Sequence, residues 1–170
     1  MRMREPRHEA HMERDGQRIC IRLLRDEIKY DVDYDTWKRG QQAEEPNHRF
    51  EMQTDEENAD WMQRRITRAV GDIRKKLQAY VKERGRMVTD ELEDCDEWVI
   101  SLVMEDGWTG DVDNLCVLMH QYVVDCVLRD WYGLTSGDLA QEYGMRAEAD
   151  MDDMVDVARE VDLDGVRFCL

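Results

Sequence analysis

Residues 113–131, DNLCVLMHQYVVDCVLRDW, carry the strongest structural signal in the chain. Apolar side chains recur there at helical spacing and occupy almost every direction around the axis. Only a narrow strip with Asn114, Gln121, Asp125 and Arg129 is polar. A helix that is apolar on nearly all sides is surrounded by other parts of its fold. The segment therefore predicts a central helix against which the rest of the chain packs.

A second helix is predicted over residues 55–84. Thr54 and Glu57 match a capping box, in which hydroxyl and carboxylate satisfy free backbone N–H groups at the start of a helix. Apolar residues follow at three- and four-residue spacing, and Gly85 suits a left-handed C-terminal cap. This helix is expected to bury one face and to expose the other.

The weaker patterns in the N-terminal half also favour helix. Ile21, Leu24, Ile28 and Val32 fit a helical stripe, so we expect a helix from about residue 19 to residue 30, although its first residues are ambiguous between strand and helix. The polar residues that follow, over 38–53, indicate a loop.

The C-terminal half continues the helical pattern. A third helix is predicted over residues 89–103, with a strand as the alternative over 98–104. Residues 136–161 predict one or two acidic helices, and residues 166–170 a short terminal strand that docks on its own domain or on a neighbouring subunit. The expected fold is mainly α, a compact bundle of four to six helices, with a mobile tail over residues 1–18 and a single helical domain over 19–170.

Composition limits the classes of protein to which the chain can belong. It has 170 residues, of which 38% are charged, with a mean hydropathy of -0.77. No apolar run approaches the roughly 20 residues that span a bilayer, and no secretory leader is recognisable, so neither a membrane nor secretion is expected. The five cysteines lack paired spacing, which favours reduced thiols and synthesis in the cytoplasm.

Charge is unevenly distributed along the chain. The net charge of -16 argues against general affinity for nucleic acid. Residues 61–86 nevertheless carry net +7, whereas residues 87–170 carry net -18. The basic stretch either contacts phosphates or an acidic partner, or faces the chain's own acidic half in an ion network within or between subunits. Charge complementarity favours the second interpretation.

Several side chains are candidates for an interface between subunits. Aromatic residues are enriched at such interfaces, and those in loop-like segments are better candidates than those at helical positions, which are expected in the core. An apolar C-terminus also favours docking. The candidates are Arg64, Arg65, Arg68 and Lys75 on the basic helix, Trp37 and Trp108 in loop-like segments, and Phe168 and Leu170 in the terminal pentapeptide.

No catalytic, cofactor-binding or metal site is predicted. An EF-hand loop beginning at Asp31 requires Gly at its sixth position and Glu at its twelfth, where this chain has Thr36 and Gln42. Cys116 and His120 share one face of the central helix, but no second pair of ligands accompanies them. A buried thiol would also be a poor nucleophile. A packed cysteine beside a hydrogen-bonded histidine is the favoured interpretation.

The order of motifs resembles that of small structural proteins of tailed bacteriophages and prophages. The segment LLRDEIKYD at 23–31 is followed by a helix with Trp61, Arg65 and Ala69, and later by His120 and Trp131 on another helix. The layout is similar to that of helical head–tail connector, or neck, proteins. The resemblance covers roughly residues 20–135 and implies a ring of subunits beneath the portal, with no catalytic residues.

We therefore expect a non-enzymatic structural or assembly protein that oligomerises or contacts neighbouring virion proteins, located in the virion if it is of phage origin. An acidic regulator or inhibitor that mimics nucleic acid and covers a basic partner is the alternative. No cofactor is expected for either.

Overall fold

The computed structural model describes residues 3–5, 11–42, 56–80 and 96–161, and these residues form a mixed α/β fold. Three strands make one antiparallel sheet in the order β1-β2-β3, and four helices accompany it. The predicted multi-helix bundle, in which only a short C-terminal strand was expected, is therefore wrong, although most of the described residues are helical. The elements are β1 (Met12–Asp15), β2 (Arg18–Leu24), α1 (Arg25–Gln42), α2 (Glu56–Lys76), β3 (Glu97–Val103), α3 (Val112–Tyr132) and α4 (Gly137–Ala158).

The sheet begins inside the segment that the sequence assigns to a tail. β1 and β2 form a hairpin in which Met12 pairs with Ile21 and Asp15 with Arg18. Gly16 occupies the first position of the two-residue turn with φ +59°, as a type II′ turn requires. Residues 12–18 are thus part of the folded domain.

The helix predicted from residue 19 is wrong, because residues 18–24 form β2. Ile19, Ile21 and Leu23 alternate into the core, which is the two-residue period of a strand. The helix begins only at Arg25, immediately after the strand. α1 then buries positions 28, 32, 36 and 40 at four-residue spacing and extends to Gln42, beyond the expected start of the loop at residue 38.

The helix predicted over 89–103 is also wrong where the structure describes it. Residues 97–103 form β3, so the strand alternative is confirmed over these residues. Trp98, Ile100 and Leu102 are buried on the core side of the sheet. β3 pairs with β2 along its whole length, from Val103 opposite Arg18 to Glu97 opposite Leu24.

The prediction of a central helix is confirmed by α3, which spans Val112–Tyr132. Its N-terminus is capped by the carboxylate of Asp111, which accepts from the backbone N–H of Asp113 at 2.9 Å. Thirteen of its residues are buried, and it packs against β1, β2 and the three other helices. It is therefore the element that joins the sheet to the rest of the fold.

α2 and α4 lie on different sides of α3. Asp130 and Trp131 face α2, where they meet Arg65 and Trp61. Asp125 instead faces Asp150 of α4. Asp125 and Asp130 are about 140° apart around the axis at 100° per residue. The outward surfaces of α2 and α4 consequently do not face each other within one chain.

The predictions of a helix within residues 55–84 and within residues 136–161 are both confirmed, by α2 and α4. α2 is shorter than the predicted helix over 55–84, since Lys76 is its last residue. α4 is a single helix within the segment predicted to hold one or two. Thr54 and Gly85, the predicted caps of α2, and the terminal strand over 166–170 lie outside the described residues.

Trp108 anchors the connection between β3 and α3. Its indole N–H donates to the carbonyl of Val157 in α4 at 2.8 Å, and Arg14 of β1 lies over its ring at 5.4 Å. The ring also lies against the backbone of Gly110: a Cβ added there would be 2.3 Å from the indole. Only a glycine fits at this position without moving the ring.

We expect Gly110→Ala to destabilise the fold, because the added methyl group must displace a buried indole. The expected loss in unfolding free energy, measured by urea denaturation, is roughly 1–3 kcal/mol. Gly71→Ala is the matched control, since nothing lies within 4 Å of a Cβ at that position in α2. This second variant should be stabilised by about 0.5–1 kcal/mol through helix propensity. Equal stability of the two variants would contradict the packing described for Trp108.

Candidate functional site

Three of the four exposed basic residues described on α2 lie on one side of the helix, here called the basic face. Arg64, Arg68 and Lys75 are all exposed and lie within about 40° of one another around the helix axis. The buried Ile66 and Ile73 lie on the opposite side of the helix. The basic face therefore points away from the core, as the sequence predicted for this helix.

Two other arginines of α2 contact their own chain. Arg65 approaches the Asp130 carboxylate of α3 at 3.5 Å and lies over the Trp61 ring at 5.4 Å. Arg74 is buried and donates to the carbonyl of Val99 in β3 at 2.6 Å. An ion pair within the chain thus holds Arg65, as one form of the predicted network required, and Arg74 is held against the sheet by its contact with β3. Arg64, Arg68 and Lys75 make no ion pair with any other described residue.

The aromatic and terminal candidates differ in their surroundings. Trp108 is only 7% exposed and packs in the core, so it is not available as an exposed interface residue. The glycines on either side of Trp108 indicated a loop. They do not indicate that Trp108 contacts α4, because that helix lies far along the chain. Trp37 is half-buried on α1, with its ring 6.1 Å from that of Tyr34. Phe168 and Leu170 lie outside the described residues.

Acidic side chains cover the outward surface of α4, here called the acidic face. Glu148, Asp152 and Asp156 are exposed along it, and Met145 lies at its N-terminal end with 64% of its surface exposed. Tyr143, Ala147 and Met154 are buried on the opposite side of the helix. The sequence predicted an acidic helix here, and the structure shows which of its carboxylates point outward.

Cys116 and His120 are both buried on α3, which confirms their interpretation as core residues. The imidazole Nε2 of His120 lies 2.5 Å from a carboxylate oxygen of Asp31 in α1. The sequence did not reveal this pair, because the two residues lie on different helices. Burial raises the pKa of Cys116, whose thiol is directed at the carbonyl of His11 at 4.0 Å. The thiol is therefore kept protonated and is not activated as a nucleophile.

A second polar cluster joins α1 to the α3–α4 pair. The carboxylate of Asp35 accepts hydrogen bonds from Tyr132 at 2.7 Å and from Tyr143 at 2.5 Å. Arg39 donates to the Tyr143 hydroxyl at 3.3 Å, and Arg146 lies over the Tyr143 ring at 4.7 Å. Burial, followed by the interactions with Asp35, raises the pKa of both phenols. The cluster fixes α1 against two helices and leaves both hydroxyls as donors to one carboxylate.

Asp125 and Asp150 form a partly buried carboxylate pair between α3 and α4. Burial raises the pKa of Asp125, and its hydrogen bond to Asp150 and the charge of that residue raise it further. Oδ2 of Asp150 is buried and receives no hydrogen bond from another described residue. Because two ionised carboxylates are both acceptors, the contact requires a proton on one of them. The raised pKa of Asp125 therefore favours a proton on that carboxyl group where it meets Asp150.

The outer surface of the sheet carries a shallow depression of about 480 Å³. Glu13, Arg18, Cys20 and Ser101 are among its lining residues. Cys20 is a free thiol and is partly exposed. The mixed charges and the single cysteine do not define a catalytic constellation.

The described part of the chain offers neither a metal-binding cluster nor a membrane-spanning helix. No three His, Cys, Asp or Glu side chains there come together so as to hold a metal ion. None of the described helices is both long enough and apolar enough to cross a bilayer. The charged faces of α2 and α4 therefore remain the most distinctive surfaces of the described chain.

Comparison with known proteins adds no assignment: no family model, curated protein or solved structure matches this chain. The interpretation of the surfaces consequently depends on their own chemistry.

The carboxylate pair makes a prediction about stability and pH. Since the folded chain raises the pKa of Asp125 above its ordinary value of 3.8, the folded state binds a proton that the unfolded state releases. The free energy of unfolding should therefore fall as pH rises above that value. Asp125→Asn removes the titrating group, so its stability should be less dependent on pH and should exceed that of the parent by on the order of 1 kcal/mol at about pH 8.

Urea denaturation at about pH 5 and pH 8 measures this difference. Asp153→Asn is the control, because Asp153 is exposed on α4 and its loss changes net charge equally. If both variants showed the same pH dependence as the parent, the proposed protonation of the pair would be disproved.

Proposed function

We propose that this chain is a non-enzymatic assembly protein that self-associates through charged helix surfaces. The observation that carries the proposal is the separation of exposed charge between two helices. The basic face of α2 and the acidic face of α4 lie on different sides of α3. A subunit with complementary surfaces in different places suits heterologous contacts, in which one surface meets a different surface of the next copy.

The buried polar groups favour a structural role over catalysis. His120 is paired with Asp31, and Asp35 accepts from two tyrosines. Burial keeps the Cys116 thiol protonated. Groups of the kinds that enzymes use are thus engaged in holding α1, α3 and α4 together.

The edges of the sheet are poorly suited to association. β1 is a four-residue edge strand with charged residues at positions 13, 14 and 15, and short charged edges resist pairing with another chain. At the other edge, the backbone N–H of Val103 donates to Tyr80 at 2.8 Å, and the carbonyl of Val99 accepts from Arg74. This leaves helix surfaces as the better candidates for contacts between copies.

A head–tail connector-like virion component that forms a ring is the specific form of this proposal. It follows from the resemblance to phage structural proteins, and the heterologous pattern of charge is compatible with ring closure. The mixed fold departs from the helical layout of that resemblance, so the proposal depends chiefly on the charged surfaces.

The acidic face also favours a second candidate function. An inhibitor that covers a basic, nucleic-acid-binding partner would use this surface without any role for the basic face of α2. Loss of the basic face would then leave partner binding unchanged, which separates the two candidates.

We expect the molar mass in solution to rise with protein concentration and to fall again when salt is added. Sedimentation velocity or light scattering from roughly 1 to 300 μM, at about 0.1 M and 0.5 M salt, measures this behaviour. Direct ion pairs between copies are screened at high salt, which gives the expected direction. A monomer under all these conditions would contradict self-assembly. Electron microscopy of the associated species tests the ring.

A further inference from the structure

We propose that the basic face of α2 in one copy docks against the acidic face of α4 in a second copy. This inference rests on the proposed function and names the surfaces that perform it. Arg64, Arg68 and Lys75 form one side of the contact. Glu148, Asp152 and Asp156, with the exposed Met145 beside them, form the other.

The two faces are opposite in charge and comparable in length. At 1.5 Å per residue, Arg64 and Lys75 are separated by about 16 Å along α2. The carboxylates from Glu148 to Asp156 span about 12 Å along α4, and Met145 extends that face to about 16 Å. Two helices packed side by side could therefore bring three cations against three carboxylates, with room for Met145 at one end. Two exposed carboxylates share this side of α2: Asp60 lies one turn before Arg64, and Asp72 lies between Arg68 and Lys75 along the helix. The second copy would therefore meet a mainly basic surface rather than an unbroken row of cations.

The contact cannot be satisfied within one chain. The residues of α3 that contact α2 and those that contact α4 are on different sides of that helix. Both charged faces also point away from the core on their own helices. An attraction between these two faces consequently requires another copy, and within the described residues each copy retains one unpaired face of each kind.

Net charge favours this pairing of surfaces over others. Two copies with a net charge of -16 repel each other in most orientations. An orientation that places the basic face of α2 against carboxylates replaces repulsion by attraction at the point of contact. The same net charge disfavours nucleic acid as the occupant, because phosphates would approach a strongly acidic molecule.

The contact is expected to be weak and sensitive to salt. Exposed ion pairs each contribute only about 0–1 kcal/mol, and one helix packed on another buries less area than a standard interface of roughly 1,600 Å². Met145 supplies the apolar surface that such a contact needs. Weak contacts repeated around an assembly are sufficient to hold many copies together.

Reversal of charge on each face tests the proposal. The first variant carries Arg64→Glu, Arg68→Glu and Lys75→Glu, and the second carries Glu148→Lys, Asp152→Lys and Asp156→Lys. Each alone should associate at least tenfold more weakly than the parent in sedimentation velocity. An equimolar mixture should recover the association, because every contact between unlike variants again joins opposite charges.

The matched control carries Arg18→Glu, Arg22→Glu and Lys38→Glu. These three residues are exposed outside α2, and their reversal changes net charge as much as the first variant does. The control should associate more strongly than the first variant. Circular dichroism checks that all variants are folded, and the single changes Arg68→Glu and Asp152→Lys replace any triple variant that is not.

The possible results distinguish a failure of this particular contact from a failure of the proposed self-assembly. If the parent associates and the triple variants associate equally well, the named surfaces are wrong while self-assembly stands. If the parent does not associate, self-assembly itself fails. If the parent is monomeric but binds a single-stranded oligonucleotide that the first variant does not bind, the basic face serves nucleic acid and the second copy is not its occupant.

Discussion

The burial of α3 on nearly all sides is the constraint on which the remainder of the fold depends. A helix with so little polar surface must be covered from several directions at once. The sheet packs against one side of α3, and α1, α2 and α4 pack against its other sides. Each of these elements presents its own apolar stripe to α3, and α2 and α4 thereby turn their charged residues outward. The positions of the two charged faces are thus a consequence of how the central helix is buried.

The buried polar residues of α3 determine where α1 packs against it. His120 of α3 pairs with the Asp31 carboxylate of α1, and Tyr132 of α3 donates a hydrogen bond to the Asp35 carboxylate of α1. A buried polar group without a partner costs about 1–3 kcal/mol, so an arrangement of α1 that broke either contact would be disfavoured. Apolar packing alone tolerates many orientations of one helix on another. The hydrogen bonds therefore contribute specificity, which fixes one orientation among several that would bury similar area.

The sequence predicted α2, α3 and α4 well, but it misplaced the bounds of α1 and favoured none of the three strands. α3 and α2 carry their period over about twenty residues, and in each the helical spacing is unmistakable. β2 and β3 are seven residues each, and over that length a run such as the one at 19–24 fits both periods. The basic residues of the candidate site were found from charge alone. Their separation from the acidic face was not, because it depends on which side of α3 each helix covers.

The pairing of β2 with β3 has a consequence for the order of folding. Strand residues 18–24 must meet residues 97–103, with α1 and α2 between them in the chain. Closing so long a loop costs entropy before any strand contact is gained. α3 and α4, in contrast, are joined by a short turn at residues 133–136 and can pair while the rest of the chain is unstructured. We therefore expect the helical hairpin to form early and the central strand pairing to form late, so that completion of the sheet is the step that closes the domain.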